Sequence, residues 1–232
     1  MDLNDLILIS VDDHVVEPPD LFDGLLPAKY VDKAPKLVER SDGTQAWRYE
    51  KTETPNVGLN AVAGRPPEEY GMEPTTFDEL RAGTWDVHQR VLDQSANGVL
   101  AGLNFPSFPR FAGQLFQENL NSDPEQGPTM ARAYNDWHID KWCGSYPDRF
   151  IPLAIPIIWD MDLLVAEVER VAAKGCHAMT FSANPYDLGY PSFHTDHWDR
   201  FWAACVANDV IVCMHLGSNS KIQGITAPDA PM

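Results

Sequence analysis

Five short runs of nearly uninterrupted apolar residues, at 6–11, 98–106, 150–157, 177–182 and 210–215, constrain this chain more than any other feature. Strands that read as continuous apolar runs, without alternation, belong to parallel sheets covered on both faces. Between the later runs the spacing turns helical. Trp85 to Ser95 has a helical pattern, and Thr129 to Gly144 places Met130, Ala133, Tyr134, Trp137 and Lys141 at helical intervals. Asp160 caps a third helix with an apolar face of Leu164, Val165, Val168, Val171 and Ala172, and Gly175 stops it. Thr195 or Asp196 opens a fourth, with Trp198, Trp202 and Cys205 on one face.

This alternation fits a doubly wound open sheet or a (β/α)8 barrel. No G-x-G-x-x-G or phosphate loop follows any strand, so the nucleotide-binding form of the open sheet has no support. A long excursion, about 20–84, separates the first strand from the first helix. Within it, Lys36 to Arg40 and Gln45 to Glu50 flank Ser41-Asp42-Gly43-Thr44, the pattern of a hairpin turning on Asp-Gly. Thr54 to Thr76, with Pro55, Pro66, Pro67 and Pro74, has no sustained period and reads as a covering loop.

The length suits one large domain over 1–232. A formal net charge of -17 argues against nucleic-acid and anionic-membrane partners, which demand basic patches. The apolar runs are too short to span a bilayer and no basic leader precedes them, so the expected location is the cytoplasm. Cys143, Cys176, Cys205 and Cys213 are widely spaced in apolar contexts without a C-x-x-C pair, and are expected to be reduced packing residues. The partner expected is a small-molecule substrate, with self-association into a homo-oligomer left open.

Chemistry concentrates where the first strand ends, in Ile9-Ser10-Val11-Asp12-Asp13-His14-Val15-Val16-Glu17-Pro18. Residues two apart on a strand share a face, so Leu8, Ser10, Asp12 and His14 fall together and a carboxylate converges with an imidazole. That pair suits half of a divalent metal site; the plain alternative is a set of polar residues where a strand meets solvent. His215 ends the fifth run, on the face of Ile211 and Cys213. Alone it reads as a core histidine needing a hydrogen bond; beside Asp12 and His14 at the same end of a sheet it supplies a third ligand.

Other candidates carry weaker signals. Glu17 suits a substrate group or a supporting contact, or is a turn residue ahead of Pro18. Asn104 and Ser107 flank the end of the second strand and are placed to hydrogen-bond substrate. His194 sits in a loop over the site and is either a substrate donor or a solvated residue. Phe105, Phe108, Tyr186 and Phe193 suit a planar substrate or cap the core. His177 and Arg149 begin strands, the end associated with stability, and Arg149 is expected to anchor an ion pair. His88 and His138 are expected to be partly exposed helix positions.

Together, Val11-Asp12-Asp13-His14-Val15-Val16-Glu17-Pro18, Tyr146-Pro147-Asp148-Arg149-Phe150 and Val212-Cys213-Met214-His215-Leu216-Gly217 resemble the amidohydrolase-related family. This branch of the metal-dependent amidohydrolase superfamily includes aminocarboxymuconate-semialdehyde and resorcylate-type decarboxylases. The resemblance implies a distorted (β/α)8 TIM-type barrel, of which this chain carries roughly the first five strands. It also implies one divalent metal, zinc first and manganese as the alternative, on Asp12, His14 and His215, with His215 and Glu17 as catalytic candidates. The family also uses a histidine after the sixth strand and an aspartate after the eighth. A complete barrel takes about 250 residues before insertions, so the chain is expected to be a truncated one.

The activity implied is non-oxidative decarboxylation of a small carboxylated or carbonyl compound. The alternatives are hydrolysis through a metal-activated water and an inactive remnant that only binds.

Overall fold

The computed structural model describes residues 6–55, 62–70, 76–218, 227 and 229. Backbone proximity divides the chain into two compact units, Met1–Phe108 with Asp136–Ile151, and Pro109–Asn135 with Pro152–Met232. Among the described residues no sheet closes on itself, and no helix is long and apolar enough to cross a membrane.

The first unit is built on β1 (Leu8–His14), which opens a three-stranded parallel sheet. The excursion then folds into an antiparallel sheet of β2 (Lys36–Glu39), β3 (Gln45–Tyr49) and β4 (Thr52–Pro55), one strand more than the predicted hairpin. The Asp42-Gly43 turn forms as its residues dictate. Gly43 takes φ +82°, and the Asp42 carboxylate accepts from the Thr44 N–H at 3.0 Å. Trp47 on β3 stacks on Phe108, with ring centroids 4.4 Å apart. Residues 56–61 and 71–75 of the expected covering loop lie outside the described residues.

Helix α1 (Val87–Ala96) starts where Asp86 accepts from the N–H groups of His88 and Gln89. It leads into β5 (Val99–Phe105), whose residues from Ala101 onward are buried. β6 (Phe150–Ile151) completes the sheet in the order β1-β5-β6. The predicted strand 150–157 is cut short because Pro152 and Pro156 have no N–H for a ladder.

Four expectations are corrected. β1 is not covered on both faces: Ile7 is 72% exposed and Val11 65%. It is an edge strand paired only with β5 among the described residues, and its register slips between Leu8 and Ile9 and again between Ser10 and Asp13. The long helix predicted to reach Gly144 is α2 (Gln126–Asp136) followed by a π-helical stretch, Trp137–Cys143. The wider turn places His138 and Cys143 inside, so His138 is fully buried rather than partly exposed. Arg149 makes no ion pair among the described residues; it donates to the carbonyls of Leu100 and Val99 and to Ser95 Oγ, closing the gap between α1 and β5.

The second unit contains α2 up to Asn135, then α3 (Met161–Ala172), β7 (Ala178–Phe181), α4 (Asp199–Ala207) and β8 (Ile211–Met214). Asp160 caps α3 by accepting from Leu163 N–H, and Gly175 ends the following turn at φ +83°. Leu164, Val168 and Val171 of the predicted apolar face are fully buried. β7 and β8 pair in parallel, Ala178 opposite Ile211 and Phe181 opposite Met214. Phe181 lies in an aromatic cluster, stacked on Phe201 at 4.8 Å and edge-on to Trp198 at 5.1 Å. The four cysteines are free thiols, three of them buried, and burial pushes Cys176 and Cys205 up to about 11. Cys143, Cys176 and Cys205 are packing residues, and Cys213 is half-buried.

Candidate functional site

In the first unit, β1 delivers Asp12 and His14 to its C-terminal end. Asp12 is exposed, while His14 is half-buried with its ring tilted against Phe105 at 6.0 Å. A carboxylate oxygen and an imidazole nitrogen from one strand end are donors that suit a divalent ion. β1 and β5 continue as a matched pair of loops. Val15 N–H donates to the Phe105 carbonyl at 3.0 Å, and Ser107 Oγ donates to the Val15 carbonyl at 2.7 Å. Glu17 is fully buried and accepts from the N–H groups of Ser107 at 2.8 Å and Phe108 at 3.2 Å. Its carboxylate and the Ser107 hydroxyl both hold backbone.

Asn104 is buried, and its Oδ1 accepts from Trp142 Nε1 at 2.9 Å. Phe105 is 4% exposed, and Phe108 is fully buried against Trp47. These side chains therefore pack the first unit. His138 lies beside Cys143 Sγ at 3.7 Å, and burial pulls its imidazole down to about 4.

Arg90, which the pattern of the sequence did not single out, stands behind the β1 end. Arg90 of α1 donates from Nη2 to the His14 carbonyl at 2.6 Å and from Nε to the Gly83 carbonyl at 2.5 Å. Burial draws this guanidinium below its ordinary range, and Asp13 and Asp93 oppose that pull. Asp13 accepts from Ser10 Oγ at 2.7 Å. A cleft of about 650 Å³ opens here, lined by Asp12, Asp13, His14, Arg81, Arg90 and Gln94 among others. Arg81 is bound to Asp93, holding that carboxyl below the usual range. An arginine on a helix has no sequence signal that separates such a clasp from a solvated charge.

In the second unit, His215 follows β8 and is half-buried. Its Nδ1 lies 2.5 Å from the Leu216 carbonyl, which only accepts, so this contact calls for a proton on Nδ1. Phe111 supports the ring at a centroid distance of 4.5 Å. A metal-binding histidine is commonly fixed in this way, with its other nitrogen donating to a carbonyl. Next in the chain, Ser218 is fully buried and accepts from Ala183 N–H through Oγ, while Gln114 Nε2 donates to its carbonyl at 2.8 Å. His194 is exposed, and its N–H donates to Ser192 Oγ. His177 contacts the Asn208 carbonyl through Nδ1 at 3.1 Å, a structural contact as expected. Tyr186 is exposed, and Phe193 packs on Phe181 and Trp202.

The amidohydrolase family model matches residues 100–232, more than half of the chain. The chain belongs to the amidohydrolase family. Among solved structures, an amidohydrolase from Mycobacterium avium subsp. paratuberculosis K-10 is similar over 91% of this chain and 59% of its own, with 19% identity and a TM-score of 0.65. A dihydroxybenzoic acid decarboxylase from Polaromonas sp. JS666, with bound manganese and the inhibitor 2-nitroresorcinol, is similar over 90% of this chain and 49% of its own. That match has 18% identity and a TM-score of 0.53. Metarhizium anisopliae IDCase in apo form is similar over 93% and 52%, with 14% identity and a TM-score of 0.53. No curated protein matches the chain. This amidohydrolase chain thus spans about half to three-fifths of the solved structures it resembles, and membership implies an α/β fold of the TIM-barrel type.

Proposed function

We propose that this amidohydrolase-family chain carries Asp12, His14 and His215 as ligands of one divalent metal ion. In the whole enzyme that ion serves decarboxylation of a small carboxylated compound. The observation that supports this reading is the contact of His215 Nδ1 with the Leu216 carbonyl, an arrangement that suits Nε2 as the nitrogen toward a metal. The D-x-H spacing on β1 supports it from the sequence. When bound, such an ion supplies Lewis-acid polarisation of a carboxylate or carbonyl oxygen, and acidification of water in a hydrolytic reaction.

The chain's own residues do the rest by holding and orienting. Asp12 brings a negative charge that favours a cation. Phe111 and the Leu216 carbonyl fix the plane and tautomer of His215. Glu17 acts by joining the segments after β1 and β5 through the N–H groups of Ser107 and Phe108. Decarboxylation is favoured over hydrolysis because a decarboxylase that holds manganese is among the similar structures. The family's description, amidohydrolase, favours the hydrolytic alternative.

Metal analysis after purification from medium with zinc or manganese tests the reading, with about one ion per chain expected. Asp12→Ala with His14→Ala, and His215→Ala alone, should each lose it. A parent chain with no bound ion, or variants that retain it, would overturn the assignment. Release of carbon dioxide from hydroxybenzoates, set against cleavage of simple amides and esters, separates the two reactions.

A further inference from the structure

The paired carboxylates Asp12 and Asp13 differ in direction. The β1–β5 register slips between Ser10 and Asp13, which breaks strict alternation. Asp13 turns back toward α1: a Cβ placed on Gly102 would stand 2.8 Å from Asp13 Oδ2 and 2.9 Å from Gln94 Nε2. Gln94 is 5% exposed, and neither its amide oxygen nor its nitrogen is hydrogen-bonded among the described residues. Asp13 therefore faces the cleft lined by buried Gln94 and half-buried Arg90, the one arginine of α1. Arg90 Nη2 donates to the His14 carbonyl at 2.6 Å and Nε to the Gly83 carbonyl at 2.5 Å, spanning two backbone segments with one planar group.

We propose that Asp13 and Arg90 are positioning residues for His14. Ser10 orients Asp13, Asp13 places its negative charge in the cleft that Arg90 also lines, and Arg90 grips the His14 carbonyl so that the imidazole holds one direction at the strand end. The two adjacent aspartates then have divided roles, Asp12 toward the ion and Asp13 toward the helix. This inference rests on the metal reading above and assigns two further residues to it. Neither Asp13 nor Arg90 is assigned as a ligand of the ion. Their contribution runs through the backbone of a ligand, an effect that in metal sites commonly reaches about 10- to 100-fold in affinity.

The test is titration of the 232-residue chain with cobalt(II), read by its visible absorption and by the Kd, with folding followed by circular dichroism. Arg90→Met and Asp13→Asn should each weaken cobalt binding by about 10- to 100-fold and alter the absorption band. Arg90→Lys keeps the charge but cannot reach both carbonyls, and should fall between parent and Arg90→Met. Arg200→Met removes an exposed arginine that pairs with Asp162 of α3, and should leave Kd and band unchanged. If Arg90→Met or Asp13→Asn does not fold, Arg90→Lys decides. Folded variants with the parent's Kd and band would overturn the positioning role while the metal reading stands. A parent chain that takes up no cobalt, or an Asp12→Ala, His14→Ala chain that binds like the parent, would overturn both.

Discussion

Glu17 accepts the backbone N–H of Ser107 at 2.8 Å, and this contact fastens the segment leaving β1 to the segment leaving β5. With the Phe108 N–H as second donor, a fully buried carboxylate is satisfied by main chain. Two N–H groups aimed at one carboxylate make a charge-assisted pair that a neutral side chain cannot replace.

Glu17→Gln should therefore lower stability by about 1–3 kcal/mol, since an amide presents one acceptor and turns its own N–H₂ toward a donor. Urea unfolding followed by tryptophan fluorescence checks this. Glu17→Asp, which keeps the charge at a shorter reach, should lose less. Equal midpoints for parent and Glu17→Gln would show that the clamp contributes nothing.

His138 makes stability depend on pH. Its folded value, pulled to about 4 by burial, lies below the ordinary 6.5, so the unfolded chain takes up the proton first. The contribution is complete above pH 6.5 and is lost as pH falls from 6.5 through about 4, about 3 kcal/mol over that window. Unfolding free energies measured at half-unit steps should show this slope, and His138→Gln should flatten it. A slope unchanged in the variant would remove His138 from the account.

Much of this was legible in the residues. The apolar runs identified β5, β7 and β8, Asp160 and Gly175 marked the ends of the α3 segment, and Asp42-Gly43 marked the hairpin, because each depends on local chemistry. Trp137 to Cys143 did not disclose its π-helical turn, since helical spacing over two turns fits either hydrogen-bond pattern. The inward placement of His138 followed from that turn and was missed with it. At the candidate site the ligand types and the spacing of Asp12 and His14 were visible. The supports of His14 and His215 were not, because a backbone carbonyl leaves no mark in the sequence: Arg90 reads as an ordinary helix charge and Phe111 as a core ring.

Glu167 is the second unit's buried anion, fully inaccessible on α3. It accepts from Arg170 at 2.7 and 2.9 Å, from Arg132 at 3.3 Å and from Asn135 at 2.8 Å. Asn135 in turn brackets the Ile155 peptide, accepting from its N–H and donating to its carbonyl. Glu167→Ala removes the shared acceptor of two partly exposed arginines and of the buried Asn135 amide, and should cost about 1–3 kcal/mol. Arg132→Ala, which removes the longest bond from a partly exposed side chain, should cost clearly less. Denaturant unfolding of the two variants should give that order, and the reverse order would shift the centre of the network from Glu167 to Arg132.

Gly102 tests how tightly the layer behind β1 is packed. It lies in the buried part of β5, and its φ is not positive, so alanine meets no backbone obstacle there. The obstacle is space: a Cβ would come within 2.8 Å of the Asp13 carboxylate and 2.9 Å of the Gln94 amide, both nearer than real contacts allow. One of the two must move. If Gln94 moves, the strain falls on an amide with no hydrogen bond to lose, and Gly102→Ala should cost about 1 kcal/mol, the low end for overpacking. If Asp13 moves, its bond from Ser10 is broken as well, and the cost should approach about 3 kcal/mol. The double variant Gly102→Ala, Gln94→Ala separates these cases, because the shorter side chain vacates the space beside Cβ. Recovery of the parent's unfolding midpoint would place the strain on Gln94, and a persistent loss would place it on Asp13. A midpoint unchanged by Gly102→Ala alone would mean that the layer yields without cost.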